Sequence, residues 1–265
     1  MQIKTPKTSS GSHVKSLTRA LSILDALAQN NEGLTLTTLA RAVELPLSTT
    51  HRLLTTLQQR RFARFDPVTM SWQIGLQAFI VGNAFARARD IVLIARPLMR
   101  RLMEQSGETV SLYVMTDGEA ICMAQVESRE MMRAASRPGG RANLHSSAAG
   151  KAMLAHLPDA EMVRIVRSHG LPRMTQRTLV TAKALRANLQ AIRARGFAID
   201  DEEHTIGLRC VAAAILDEHG APLASISLSG PTARILDARV GALGTRVSEA
   251  ARSTTIAVGG RTAQQ

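Results

Sequence analysis

Three helical patterns follow one another between residues 16 and 60, and only E-L-P at 44–46 separates the second from the third. The first begins at Ser16, which we place at the N-cap. Its leucines recur at the spacing of one helical face: Leu17, Leu21, Leu24 and Leu27. A short helix from Thr37 to Val43 and a third from Leu47 to Arg60 follow. This order predicts a helix-turn-helix.

A hairpin pattern extends this unit. The run F-A-R-F-D-P-V-T-M-S-W-Q-I-G, which follows the third helix, alternates as two short strands around a turn at Asp66–Pro67. Three helices and a hairpin in this order are typical of a winged helix-turn-helix, a module that binds double-stranded DNA. Residues 1–15 are rich in Lys, Thr, Ser and Gly and predict a disordered tail.

The third helix has a face suited to DNA. Its apolar stripe consists of Thr50, Leu53, Leu54 and Leu57, and the opposite face carries polar or basic side chains without Asp or Glu. Such a face can enter the major groove, where an arginine donates to guanine, while arginines of the wing contact phosphate. An amphipathic helix with a solvated face is the alternative, and the order of elements favours DNA. The DNA-binding candidates are Ser48, Thr49, His51, Arg52, Thr55, Arg61 and Arg64.

The charge balance agrees with a polyanionic partner. The chain has 33 Lys and Arg against 21 Asp and Glu, a net charge of +12. One Trp, one Tyr and five Phe argue against a single-strand binder that stacks bases on aromatic rings. Two distant cysteines, no secretory signal and no long apolar run predict a cytoplasmic protein that makes no membrane contact.

The remaining sequence alternates between strand and helix patterns. Residues 75–106 predict a long helix, which Pro97 kinks or restarts. Strands are expected at Val110–Met115, Ala120–Val126, Met131–Ala135, Phe197–Asp200, Cys210–Leu216 and Leu223–Leu228, and helices at 146–156, 159–169, 182–195 and 235–252. We therefore predict an α+β chain: a tail (1–15), a winged helix-turn-helix (16–74), a linker helix (75–92) and a second α/β domain (93–258).

Two runs of the second domain have the chemistry of a small-anion pocket. In L-H-S-S-A-A-G-K, at 144–151, small side chains open a helix, whose free N–H groups can hold a carboxylate. In S-I-S-L-S-G, at 225–230, three serines share one strand face. Periodicity alone leaves open whether these hydroxyls line a pocket or face solvent.

Both halves resemble IclR-type transcriptional regulators. The N-terminal resemblance rests on S-L-T-R-A-L-S-I-L-D-A-L-A and L-T-T-L-A-R-A-V-E-L-P-L-S-T-T-H-R-L-L-T-T-L. The second domain resembles their GAF-like effector-binding domain at 136–155, 196–215 and 225–234. Its D-D-E-E-H-T-I-G-L-R-C and S-I-S-L-S-G-P runs are most similar to the repressors of allantoin and glyoxylate metabolism. Thr50, Leu47 and Ala148 depart from the usual family pattern.

The resemblance implies a repressor that its ligand releases from operator DNA, acting as a homodimer or a dimer of dimers. Its effector would be a small carboxylic or oxo acid such as glyoxylate, and no cofactor is implied. The resemblance assigns the effector to Ala148, Ala149, Asp200, Leu208, Cys210, Ser227 and Ser229. An activator that responds to another organic or aromatic acid is the alternative within the family.

The acidic run Asp200–Glu203 allows other chemistry. A metal site would draw on Asp200, Glu202, Glu203, His204, Cys210 and His219, but their spacing matches no tight zinc pattern. Catalysis by Cys210 with His204 as base lacks an orienting group, so an enzyme with a basic accessory domain is the less favoured class. We expect Asp201, Glu202 and Glu203 to be solvated or paired with arginines.

Overall fold

The computed structural model describes residues 14–30, 32–87, 91–130 and 137–261. The chain divides into two compact units, Met1–Ala88 and Arg89–Gln265. Most of the predicted tail lies outside the described residues, and Lys15, its last residue, already belongs to a helix. Within the described parts, no helix is long and apolar enough to cross a bilayer.

The first unit is a winged helix-turn-helix, as predicted. Its helices are α1 (Lys15–Ala28), α2 (Leu36–Ala42) and α3 (Leu47–Gln59), and the wing consists of β1 (Ala63–Asp66) and β2 (Ser71–Ile74). The two strands pair antiparallel. The Thr35 side chain caps α2 by accepting the Thr38 N–H. Helix α4 (Leu76–Arg87) follows the wing.

The core of this unit forms where α1, α3 and the wing meet. Its buried side chains are Ile23, Leu27, Leu39, Leu54, Ala63 and Trp72. Thr50 is also fully buried, and its hydroxyl is satisfied there because it donates to the Pro46 carbonyl at 3.1 Å. The predicted leucine face of α1 is wrong in part: Leu17 and Leu21 are exposed. The predicted N-cap is also wrong, since the helix begins at Lys15 with Val14 at the cap.

The second unit contains one antiparallel sheet of six strands in the order β5-β4-β3-β8-β7-β6. The strands are β3 (Thr109–Thr116), β4 (Glu119–Val126), β5 (Arg141–Asn143), β6 (Ala198–Asp201), β7 (Leu208–Leu216) and β8 (Pro222–Pro231). The helices are α5 (Ile91–Ser106), α6 (Ala148–Leu154), α7 (Asp159–His169), α8 (Ala182–Arg195) and α9 (Asp237–Ala257). Pro97 lies inside α5.

The alternation of β7 and β8 separates two cores. Val211, Ile226 and Leu228 belong to the core that α5 and α9 cover. The opposite face, which includes Cys210 and Ala212, packs against α6, α7 and α8. The serines of β8 belong to this second face, because they pair in register with Cys210, Ala212 and Ala214.

One strand of the sheet was not predicted from the sequence. The edge strand β5 occupies 141–143, within a run that we did not assign to a strand, and the predicted strand Met131–Ala135 lies outside the described residues. The predicted long helix at 75–106 corresponds to α4 and α5, with residues 88–90 between them outside the described residues.

Candidate functional site

The outward face of α3 carries the DNA-binding candidates. Ser48, His51 and Arg52 are exposed, whereas Thr49 and Thr55 are half-buried. The Thr55 hydroxyl donates to the His51 carbonyl at 2.9 Å, so this side chain is already bonded to its own helix. The face therefore presents a serine, a histidine and an arginine to an incoming ligand.

The wing adds two exposed arginines beside this helix. Arg61, with a left-handed φ of 60°, ends the turn after α3, and Arg64 lies on β1. Asp66 orders the wing turn, because its Oδ1 accepts the Val68 N–H at 2.9 Å and the Thr69 N–H at 3.4 Å. The bond from Val68 lowers the pKa of Asp66. A short, ordered turn thus positions the basic wing strand.

A half-open groove lies between α3 and the wing. Its volume is about 390 Å³, and its walls include His51, Thr55, Phe65, Met70 and Trp72. The Trp72 ring, the chain's single tryptophan, stands edge-on to His51 at a centroid distance of 6.5 Å. Trp72 is therefore a built-in fluorescence reporter beside the candidate DNA-binding face.

The structure brings the predicted effector residues together in the second unit. Asp200 on β6 pairs with Cys210 on β7, and Cys210 pairs with Ser229 on β8. Two residues farther along β7, Ala212 pairs with Ser227. Paired residues of an antiparallel sheet point to the same side, so the acid, the thiol and the hydroxyls share one face. All four polar side chains are buried, and Leu208, at the start of β7, is half-buried.

Helix α6 covers this face with the small residues that the sequence predicted. Ala148 and Ala149 are buried and pack in the same core as Cys210. The Ser147 hydroxyl caps the helix by accepting the Gly150 N–H at 3.1 Å. Within the described ranges, the N–H groups of Ala148 and Ala149 have no acceptor. Two buried donors are therefore available beside the polar strand face.

We expect Ser147→Ala to lower the free energy of unfolding by about 1 kcal/mol, because it removes the cap that accepts the Gly150 N–H. Chemical denaturation followed by circular dichroism measures the change. Ser168→Ala is the matched control, since Ser168 is exposed near the end of α7. Equal stabilities of the two variants would contradict this role of Ser147.

Asp200 holds the loop after β6. Its Oδ1 accepts the Glu203 N–H at 2.7 Å and the His204 N–H at 3.2 Å. Burial raises the pKa of Asp200 to about 7, although Lys151 opposes this shift. Burial therefore favours the neutral form of this carboxyl far more than that of an exposed aspartate.

A buried ion pair lies next to Asp200, and the sequence did not reveal it. The Lys151 ammonium, fully buried on α6, donates to Glu203 Oε1. Burial lowers the pKa of Lys151 and raises that of Glu203, and the attraction between the two charges opposes both shifts. The expectation that Glu203 is solvated or bonded to arginine is wrong. A lysine in the apolar surroundings of α6 was the available signal.

Two side chains near the Lys151–Glu203 ion pair, His204 and Cys210, also have interaction partners. His204 Nδ1 lies 3.2 Å from the Ser146 hydroxyl, and burial lowers the pKa of His204. The Cys210 side chain interacts with Ser229 and Asp200, and burial strongly raises its thiol pKa. A neutral thiol is a poor nucleophile, which agrees with a packing role for Cys210.

The other two acids of the run are paired with arginines. The Asp201 carboxylate accepts hydrogen bonds from the guanidinium groups of Arg177, at 2.5 Å, and of Arg209. The Glu202 carboxylate lies 3.9 Å from the Arg177 guanidinium. No group of three or more metal-binding side chains occurs in the part of the chain that the structure describes. These acids therefore tie the β6–β7 loop to its neighbours.

Comparison with protein families identifies both units. Residues 16–67 match the IclR helix-turn-helix domain, and residues 83–256 match the bacterial transcriptional regulator IclR C-terminal domain. The chain belongs to the IclR family.

Full-length relatives agree with this assignment. The chain is 46% identical to the transcriptional repressor IclR of Escherichia coli K12, covering 93% of this chain and 91% of the relative. It is 40% identical to the repressor AllR of Klebsiella pneumoniae, with 92% and 90% coverage. The crystal structure of Thermotoga maritima IclR superposes with a TM-score of 0.78 at 27% identity, covering 93% of this chain and all of the other. This IclR-family member is a DNA-binding transcriptional regulator and not an enzyme.

Proposed function

We propose that this regulator is a repressor that binds operator DNA through α3 and the wing and is released by a small oxo acid such as glyoxylate. The exposed, acid-free face that contains Ser48, His51 and Arg52 supports the DNA part of the proposal. The repressor names of the relatives support the direction of regulation. Two half-sites one helical turn apart require at least a homodimer, or a dimer of dimers.

The effector part rests on one observation above all. Ala148 and Ala149, whose N–H groups have no acceptor among the described residues, are buried in the same core as Cys210, which shares its strand face with Asp200 and Ser229. Backbone donors bind a carboxylate well, and a hydroxyl group, or a carboxyl group in its protonated form, can donate to an oxo oxygen. Ser227 and Leu208 border the same face and are proposed as further contacts. The small size of the surrounding residues favours a small acid.

A mobility-shift titration tests the proposal. The purified protein is titrated into the DNA upstream of its own gene and into an unrelated fragment of equal length, at about 0.15 M salt, where nonspecific contacts weaken. We expect tighter binding to the upstream DNA, and weaker binding when glyoxylate is added. Equal affinity for both fragments would contradict the regulator's specificity.

A ligand panel separates the effector classes. Glyoxylate, pyruvate, glycolate and benzoate are compared in the same titration, together with a thermal-shift measurement on the protein alone. Glyoxylate is expected to raise the melting temperature and release the DNA, since a ligand of the folded state stabilises it. A response to benzoate alone, or tighter DNA binding with ligand, would contradict the repressor and oxo-acid proposal.

A further inference from the structure

The buried face around Asp200 contains more acid than base. Asp200 and Glu203 are both buried there, and one ammonium, that of Lys151, is buried with them. Two carboxylates with a single buried cation would leave an uncompensated negative charge in a poorly solvated place, which is costly. One of the carboxyl groups is therefore best held neutral.

The neighbouring charged side chains do not balance the excess negative charge that Asp200 and Glu203 would carry if both were ionised. The other titratable groups that interact with Asp200, Glu203 or Lys151 lie on several elements. They are His145 beside α6, Arg195 at the end of α8, Asp201 and His204 on and after β6, and Cys210 on β7. Arg195 is exposed to solvent, and Asp201 is paired with Arg177 and Arg209. Burial also lowers the pKa of His204, which disfavours its charged form.

Two buried oxygens on this face lack hydrogen-bond partners among the described residues. Among the described residues, Ser225 Oγ and Glu203 Oε2 are buried without any hydrogen-bond partner. Ser225 alternates with Ser227 and Ser229 on the side of β8 that α6 covers. Buried polar atoms are nearly always hydrogen-bonded, and Glu203 Oε2 is an acceptor without a donor, so this face has more carboxyl oxygens than donors to satisfy them.

The geometry decides which carboxyl takes the proton and on which atom. Asp200 Oδ1 already accepts two N–H donors, from Glu203 and His204. Glu203 Oε1 is bonded to the Lys151 ammonium, which favours the ionised form of Glu203. The proton of a neutral Asp200 therefore belongs on Oδ2. The pKa of Asp200, raised to about 7 by burial, makes this proton available at neutral pH.

We propose that the effector site binds its ligand together with one proton, which resides on Asp200 Oδ2 and is donated in a hydrogen bond to the oxo oxygen of a 2-oxo monocarboxylate. This inference rests on the effector site proposed above and adds its regulation. A ligand carboxylate would bring another negative charge to a face that already has an excess of carboxyl groups. Protonation of Asp200 removes that repulsion and supplies a donor, while the Lys151–Glu203 pair acts as a positioning pair.

The proposal also explains selection among small acids. A neutral carboxyl donates to an oxo oxygen, which is an acceptor only. The ammonium of a 2-amino acid is a donor and a cation, so it would require an ionised Asp200. Glyoxylate is therefore accepted and glycine rejected, although the two have the same number of non-hydrogen atoms.

The test measures glyoxylate affinity by calorimetry on the full-length protein from about pH 6 to about pH 8.5. If only the protonated form binds, the Kd rises about 30-fold over this range, because the competent fraction falls about tenfold per unit above the pKa. Titrations in two buffers of different ionisation enthalpy should show net proton uptake above about pH 7.

The variant Asp200→Asn provides a second readout. Its amide has no titratable proton, so its glyoxylate affinity, whatever its magnitude, should not change with pH. Glu218→Gln, which alters an exposed turn residue, should keep the wild-type pH profile.

Three results would overturn the proposal: wild-type affinity independent of pH, proton release on binding, or glycine binding as tightly as glyoxylate. Glyoxylate binding with a flat pH profile overturns the proton coupling alone. Absence of glyoxylate binding at every pH overturns the oxo-acid effector itself.

Discussion

Lys151→Met is expected to lower the free energy of unfolding of the second unit by about 3–5 kcal/mol, because it leaves the buried Glu203 carboxylate without its cation. Methionine keeps the length of the aliphatic chain, so the loss reports on the charge and not on packing. Urea denaturation followed by circular dichroism measures it. Lys183→Met is the matched control, since Lys183 is exposed on α8 and should change stability little.

A double variant separates charge from shape. Lys151→Met combined with Glu203→Gln buries no unpaired charge, and it should recover most of the stability that the single variant loses. The recovery measures the coupling between the two positions. A double variant as unstable as the single one would mean that Lys151 acts through other contacts, and the pair would lose its assigned role.

This pair also shows where inference from sequence ends. Lys151 and Glu203 are separated by 52 positions, and neither periodicity nor charge pattern joins them. Only the packing of α6 onto β6 and β7 brings the ammonium to the acid. The acidic run therefore divides in an unexpected way: Asp200 and Glu203 are buried, whereas Asp201 and Glu202 bond to Arg177.

Local patterns were more informative. The alternation along β8 placed its serines opposite Ile226 and Leu228, because a strand reverses side with every residue. The stripe of α3 predicted that Thr50 and Leu54 are buried. In α1, by contrast, leucine spacing identified the core face only in part, because Leu27 faces the core together with Ile23, whereas Leu17 and Leu21 are exposed. An amphipathic pattern does not tell which neighbour covers which side.

The same limit applies to function. Exposure of Arg52 makes base contact possible, and the acid-free face makes it electrostatically favourable, but no isolated side chain determines the base that it contacts. The arginines of the wing are expected to make a different kind of DNA contact from Arg52. Arg61 and Arg64 project from the turn after α3 and from β1, which suits contacts with the sequence-independent backbone. Mutagenesis can separate these two roles by comparing specific with nonspecific DNA.

Arg52→Ala is expected to weaken binding to the upstream operator by about 5- to 150-fold, the loss of one bidentate base contact worth about 1–3 kcal/mol. Binding to unrelated DNA should fall much less, because only one of many charges is removed. Titration of operator DNA against Trp72 fluorescence gives both affinities, since Trp72 lies beside the candidate DNA-binding face. The ratio of the two affinities reports specificity directly.

Two arginine variants complete the test. Arg64→Ala should weaken specific and unrelated DNA alike and reduce the slope of log affinity against log salt by about one, as a phosphate contact does. Arg167→Ala removes the same charge from an exposed position on α7 and should leave the affinity ratio unchanged. If Arg52→Ala and Arg64→Ala lower both affinities by the same factor, Arg52 contacts the backbone and base recognition belongs to other residues of α3. A drop in the ratio for Arg52→Ala alone would identify its guanidinium as a base contact, because phosphate contacts carry no sequence information.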